Sequence, residues 1–312
     1  MNRQPWESPV PGCEKGKAYY HLPGLFEFCD LYRAFLPLFR ERRAWFYDWC
    51  DIGSIYGAPA DCLWGGGRVG FGEERPEDVA ALMREYGVSA RLTFSNSLLR
   101  EEHLADPRCN ALCALFENGG AAPNGVILCS DLLLDYLRRQ YPGFYFVSST
   151  TKVLTEFQQL QDELGREEFR FVVPDFRLNK AFAQLDALPE EQKQKVEFLC
   201  NECCWFACPD RKACYENVSR KNLGEACPDH VCVSPAASRG YRFSDAMRNP
   251  GFIGLEDIQN VYLPQGFSHF KIEGRSLGSA VVLEFLLYYL TRPEHQLQVR
   301  EEIYLSSTLD LF

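Results

Sequence analysis

The sequence predicts an α/β fold that closes into a (β/α)8 barrel, and three observations carry that expectation. Six or seven short strand-like runs alternate with helices in steps of about 20 to 35 residues, the spacing of parallel strands joined by right-handed crossovers. The number of runs approaches eight, as a closed barrel requires. No dinucleotide fingerprint follows the first strand, because "GGGRVGFG" lacks the G-x-G-x-x-G helix-opening context. A TIM-type barrel, of regular or irregular form, is therefore favoured over an open doubly wound sheet. Residues 1–44 are expected as an N-terminal helical extension packed on the barrel, and residues 45–312 as the barrel itself.

The elements follow in order. An aromatic-rich stretch over 22–44 reads as helical, and Tyr47 to Tyr56 as the first strand, followed by the Gly-rich loop "GAPADCLWGGGRVG". In "RPEDVAALMREYG" Val79, Leu82, Met83 and Tyr86 fall on one helical face, with Pro76 at the start and Gly87 at the stop. "SARLTFSNS" is the next strand. "GVILCSD" is a short buried strand whose Ser130/Asp131 pair caps the helix "LLLDYLRRQ". "FYFVSSTT" runs into the helical "VLTEFQQLQDEL", where Val153, Phe157, Leu160 and Leu164 share a face. "FRFVVPDF" and "KVEFLCNE" supply two more strands. Residues 252–263 read as an irregular strand or turn, and "SHFKIEGR" as the last strand before the apolar helix "SLGSAVVLEFLLYYL".

Composition bounds the function. The chain has 46% hydrophobic residues in 312, enough for a large core. Its 33 basic and 43 acidic residues leave a net charge of −10, which gives no support to nucleic-acid binding. No run reaches the roughly 18 apolar residues of a membrane helix, and the N-terminus lacks a signal-peptide core, so a cytoplasmic protein with no membrane partner is expected. In that compartment fourteen cysteines stay largely reduced, and their clustering points to metal or catalysis before disulfides.

Half of those cysteines lie in a loop over 200–232, inserted after about the sixth strand: Cys200, Cys203, Cys204, Cys208, Cys214, Cys227 and Cys232. Cys200 sits within its strand and is expected in the core. Thiolates are soft ligands for tetrahedral zinc or an iron–sulfur cluster. Local spacing proposes Cys204, Cys208, Cys214 and Cys227 as the metal ligands, with Cys203 and Cys232 as substitutes. Two other readings stand beside it: a loop that merely buries small hydrophobes, and a thiol nucleophile with His230 as base.

In a barrel, polar residues at strand C-terminal ends converge on one mouth. Those expected there are Asp51, Ser54, Asn96, Ser130, Ser149, Thr150, Asp175, Asn201, Glu202, Glu273 and Arg275. Glu273, Arg275 and Lys271 alternate onto one side of their strand, where Glu273 positions a substrate and Arg275 clamps a carboxylate or phosphate. A plain ion pair closing the barrel end is the alternative. Asn96 and Asp175 join them as candidate catalytic groups. Asn201, Arg211, Lys271 and Trp64 are candidate substrate-binding residues, the last as a flat stacking wall.

"HFKIEGRSLGSAVV" resembles the KIEGR segment of the collagenase-like U-32 peptidase family, and "FLCNECCWFACPDRKACYE" is similar to the VN-x-x-C-x-x-x-CP-x-R segment of related barrel proteins. "IGSIYGAPADCLWGGGR" and "RLTFSNSLLREEHLADPRCN" also look like segments of those relatives. The resemblance implies a TIM-type fold, and either oxygen-independent hydroxylation of quinone precursors or RNA bases with a [4Fe–4S] cluster, or peptidase activity. Cys204 and Cys208 match the relatives' paired cysteines, Arg211 their arginine, and Glu273 and Arg275 the charged positions of KIEGR. Cluster-binding members space their cysteines more widely, so Cys214 and Cys227 rest on local spacing alone. No H-E-x-x-H helix is present, which lowers metal-dependent hydrolysis. The expected function is a metal-binding, iron–sulfur barrel enzyme acting on a small or nucleobase-like substrate with an electron donor or protein partner. A non-catalytic binding protein with a structural zinc, and a peptidase, remain the alternatives.

Overall fold

A computed structural model describes residues 16–67, 74–118, 120–239, 242–274 and 276–308. Eight strands alternate with helices: β1 (Ala18–Pro23), β2 (Cys50–Gly57), β3 (Ala90–Phe94), β4 (Gly125–Leu128), β5 (Tyr145–Ser148), β6 (Phe169–Val172), β7 (Glu197–Leu199) and β8 (His269–Lys271). All pair in parallel, in the order β6-β5-β4-β3-β2-β1-β8-β7. The ring is brought nearly to closure by a parallel bridge between Val172 and Val196, with Val172 N–H donating to the Lys195 carbonyl at 2.8 Å. This is a (β/α)8 TIM-type barrel, as the alternation in the sequence requires. No helix of the described residues is long and apolar enough to cross a membrane.

Local signals explain the first helices. Helix α1 (Cys29–Glu41) buries Leu31, Tyr32, Phe35 and Leu36. Helix α2 (Pro76–Tyr86) has Pro76 in its first turn and ends at Gly87, whose φ of 63° is the left-handed cap that glycine adopts without strain. Helix α3 (Pro107–Phe116) starts where Asp106 accepts the Cys109 N–H at 2.7 Å. Helix α4 (Asp131–Gln140) is capped by Ser130 through the Leu133 N–H, as its sequence predicts, and α5 spans Phe157–Leu164.

Three expectations need correction. The stretch 1–44 is not a separate helical extension over its described part, because it supplies β1 and α1, the first β/α unit of the barrel. Strand β1 is buried on both faces, so its sequence AYYHLP carries no polar–apolar alternation to announce it. The cysteine loop consequently follows the seventh strand rather than the sixth. Residues 252–263, expected as an irregular strand or turn, hold a helical turn (Leu255–Asp257) that runs into a π-helix (Ile258–Tyr262), with Ile258 and Tyr262 fully buried.

The two-residue period of the strands sorts side chains into two cores. Ala18, Tyr20, Leu22, Leu92, Val126, Leu128, Phe198, Cys200 and Phe270 face the helices. Cys200 is thus core, as expected, and burial raises its thiol pKa. Tyr56, Ile127, Tyr145, Val147, Phe171 and Leu199 form a smaller cluster inside the barrel. Between them the interior is charged. Glu197, with no exposed surface, receives Arg91 Nη1 at 2.5 Å, His21 Nε2 at 3.4 Å and Lys271 Nζ at 3.6 Å. His21 also touches Ser54 Oγ at 2.8 Å and His269 Nδ1 at 3.2 Å.

Both imidazoles are neutral in the fold. Burial, then Arg91 and Arg170, push the His269 pKa down to about 3. Burial first, then Arg91, His269 and Lys271, lower that of His21. Replacing Glu197 by Gln removes the carboxylate that neutralises buried Arg91 and is expected to lower the unfolding free energy by about 3 to 5 kcal/mol in urea titrations. The same change at half-exposed Glu284, paired with Arg300 at 2.8 Å, costs about 1 kcal/mol or less. The unfolded chain protonates both histidines below their ordinary pKa of 6.5, whereas the fold does not, so stability falls as the pH drops from 6.5 toward 3. His269→Gln is expected to flatten that dependence by about 1.4 kcal/mol per pH unit in urea titrations repeated across this range.

Candidate functional site

The site is built where β7 and β8 run out. Past Leu199, the Cys200 N–H bonds the Lys271 carbonyl at 2.9 Å. The Asn201 side chain continues the ladder, accepting the Glu273 N–H at 2.7 Å and donating to the Glu273 carbonyl at 3.0 Å. This clamp sets Glu202 and Cys203 opposite Glu273. The Cys203 N–H donates to Glu273 Oε2 at 3.1 Å and the Cys204 N–H to Glu202 Oε1 at 2.9 Å. Cys203 Sγ then lies 3.4 Å from Glu202 Oε1 and 3.5 Å from Glu273 Oε1. Among the described residues these three form the one group whose metal-ligating atoms all lie within 4.8 Å of one another.

Arg211, the first residue of the helix Arg211–Asn222, is 1% exposed and holds the floor of the site. Its Nη1 reaches Glu202 at 2.5 Å, its Nε lies 3.4 Å from Asp175, and its Nη2 donates to Thr150 Oγ1 at 3.3 Å. Burial opposes its charge, yet Glu202, Tyr215, Cys204 and Asp175 hold its pKa well above the usual range. Lys271 stands 3.8 Å from the centre of the Tyr56 ring, a cation–π contact beside its pairing with Glu197. Thr93, Ser95, Glu202, Lys271 and Glu273 border a cavity of about 60 Å³. The Thr93 and Ser95 hydroxyls are buried there without a hydrogen-bond partner.

The predicted site residues divide. Glu273, Lys271, Ser149 and Thr150 line the mouth cavity as expected, whereas Asn201 is engaged by the Glu273 backbone and Arg211 by the carboxylates of Glu202 and Asp175. Asp175 caps the turn after β6 through the Arg177 N–H and pairs with Arg211 and Arg177. Asn96 is fully buried, its amide donating to the carbonyls of Leu63 and Ser219 and its oxygen accepting the Leu98 N–H, so it pins loops together and is not a mouth group. Trp64 is no stacking wall: it has no exposed surface, its indole N–H donates to the His103 carbonyl at 2.8 Å, and Phe94 and Tyr136 pack edge-on against it. Asp51 stands at the start of β2 and so belongs to the opposite end of the barrel, lining a different cavity, and Ser54 is bound to His21 inside it. Arg275 lies outside the described residues.

The four expected metal ligands do not gather three sulfurs around a single-ion position. Cys204, Cys208, Cys214 and Cys227 are each half-buried, and Cys232 is exposed. They are nevertheless fastened. Arg177 binds the Cys208 carbonyl at 2.6 Å, Asn249 binds that of Cys204 at 2.9 Å, and Asn217, one turn on from Cys214, reaches Cys227 Sγ at 3.7 Å. His230 is tied by its backbone N–H to Asn217. Glu202, Cys203 and Glu273 were each visible in the sequence, but not their meeting, which depends on the Asn201 clamp.

No protein-family model and no curated protein matches the chain. Among solved structures it resembles the U32 peptidase Mk0906, with a TM-score of 0.52 and 14% identity over 86% of this chain and 98% of that one. It also aligns with the Bacillus cereus spore cortex-lytic enzyme SleL at a TM-score of 0.40 and 10% identity, over 90% of this chain and 76% of that one. The likeness to Mk0906 is one of barrel fold. Replacing Arg211 by Met would leave Glu202 and Asp175 buried without their shared cation, and the expected loss is about 3 to 5 kcal/mol in urea unfolding.

Proposed function

We propose that the chain is a metal-dependent barrel enzyme whose chemistry takes place at the C-terminal mouth, with the ion held by Glu202, Cys203 and Glu273. The observation that carries this reading is the convergence of two carboxylates and a thiol within 4.8 Å of one another. Metal–oxygen and metal–sulfur bonds of about 2.0 to 2.3 Å place the ligands of one ion within about 4.5 Å of each other, so the fit needs only small adjustments. The mixed oxygen and sulfur donors suit zinc or ferrous iron better than magnesium or calcium. The cavity of about 60 Å³ has room for an ion and a water or two, and the Thr93 and Ser95 hydroxyls turn unused hydrogen-bonding capacity toward it. When bound, such an ion polarises a substrate oxygen or acidifies its water.

The protein's own residues supply the rest. Arg211 holds Glu202 in place, and the Cys203 N–H holds Glu273, so neither carboxylate has to be ordered when the ion arrives. Lys271, paired with Glu197, forms part of the cavity wall against which a small or nucleobase-like substrate would lie. The printed name of Mk0906 adds peptide bonds to the substrates worth assaying.

A second reading has its own support. Asn217 ties Cys227 to the helix that carries Cys214, and Cys204 and Cys208 are anchored just before it, which favours a [4Fe–4S] cluster on these four thiolates and redox chemistry. Anaerobic purification followed by metal and sulfide analysis separates the readings. The first expects about one equivalent of zinc or iron without sulfide, reduced at least about tenfold in Cys203→Ser and Glu273→Gln and retained in Cys208→Ser. Iron with matching sulfide, broad absorption near about 400 nm and loss in Cys208→Ser would select the cluster. Absence of bound metal from anaerobically prepared protein rejects both.

A further inference from the structure

A second cavity, of about 550 Å³, opens at the other end of the barrel, bounded by the C-terminal turn of α1, the start of β2 and the loops that precede β3 and β4. That size falls within the roughly 300 to 1,000 Å³ of small-molecule sites. The N-terminal face of such a barrel ordinarily serves stability, and well-packed interiors leave few voids. Its lining is as unusual as its place. Among the described residues, Arg40, Arg43, Arg91 and Arg170 line the cavity with Asp51 as the one acidic group, in a chain whose net charge is −10.

The arginines are arranged for a ligand that is flat as well as negative. Arg40 lies 4.5 Å from the centre of the Tyr86 ring, Arg43 4.7 Å from that of Phe39, and Arg170 5.2 Å from that of Tyr145. A guanidinium group resting on a ring face directs its N–H donors sideways, in the plane that suits an oxyanion. Arg43 binds the Cys50 carbonyl through Nη2, while its Nη1 is buried without a hydrogen-bond partner. Arg91 is neutralised by Glu197 and so belongs to the floor. His21 and His269, stacked with centroids 5.4 Å apart, present neutral rings beside Phe171.

We propose that this cavity binds a small aromatic or heteroaromatic anion, its ring among the aromatic side chains and its carboxylate or phosphate on Arg43 and Arg170. The site is independent of the metal at the mouth, and either proposal survives the failure of the other. Isothermal titration calorimetry at low ionic strength tests it with three probes: adenosine 5′-monophosphate, benzoate and uncharged adenosine. At least one anion is expected to bind with a Kd of about 1 mM or tighter and adenosine at least about tenfold more weakly, the two anions distinguishing phosphate from carboxylate. Arg43→Gln and Arg170→Gln, both partly exposed at the cavity and checked for an unchanged urea midpoint, are each expected to weaken binding about tenfold or more. No binding of either anion, adenosine binding as well as its monophosphate, or affinity unchanged in both variants would overturn the proposal.

Discussion

The carboxylate of Glu197 on the barrel axis is the constraint around which the interior is organised. A fully buried carboxylate is tolerated only when its charge is matched. Here the match comes from three other strands: His21 on β1, Arg91 on β3 and Lys271 on β8. In a regular barrel these layers are filled with branched aliphatic side chains, which pack in many registers. A one-residue slip of β7 would carry Glu197 into the apolar shell beneath the helices and bring Phe198 inside, breaking three contacts at once. The charged layer thus fixes register where three-residue strands such as β7 and β8 have few ladder bonds to do so.

The same layer positions the mouth. Glu197 and Lys271 lie on adjacent, paired strands, and two residues farther along them stand Leu199 and Glu273. Because the regular ladder stops at Leu199 and Lys271, the Asn201 side chain takes over the role of a backbone partner. Without it, nothing would hold the turn carrying Glu202 and Cys203 against Glu273. Arg211 reaches the same point from the helix after the cysteine turn. It ties that helix to the ends of β6 and β7 through Asp175 and Glu202, so the mouth and the loop above it share one cation.

Local signals in the sequence were read well, and long-range ones poorly. Pro76 and Gly87 bracket α2, and Ser130 caps α4, because those cues act within a few residues. The strand-and-helix alternation declared the barrel, and the KIEGR segment pointed to Glu273. Strand β1 escaped because residues buried on both faces leave no period to detect. Trp64 and Asn96 were misread for a related reason. A polar or aromatic residue beside glycines can line a pocket or fill a seam, and Gly66 settles which: a Cβ there would sit 2.2 Å from the Ser95 carbonyl oxygen. The glycines let two loops touch, and Trp64 and Asn96 seal that contact. Nothing local marks His21, Arg91, Glu197 and His269 as one group, since they are far apart in sequence.

The division of charge between the two ends follows from this arrangement. Around the mouth stand Glu202, Glu273 and Asp175, with Arg211 and Lys271 already engaged by Glu202, Asp175 and Glu197. Around the opposite cavity stand four arginines and Asp51, and Arg91 among them is matched by Glu197. Glu197 draws one cation from each side, Lys271 from the mouth and Arg91 from the opposite cavity. The histidines cannot blur the boundary, because burial beside Arg91 keeps them uncharged through the neutral pH range. The charged layer therefore separates two cavities of different lining, one bordered by Glu202, Lys271 and Glu273 and the other by Arg40, Arg43 and Arg170.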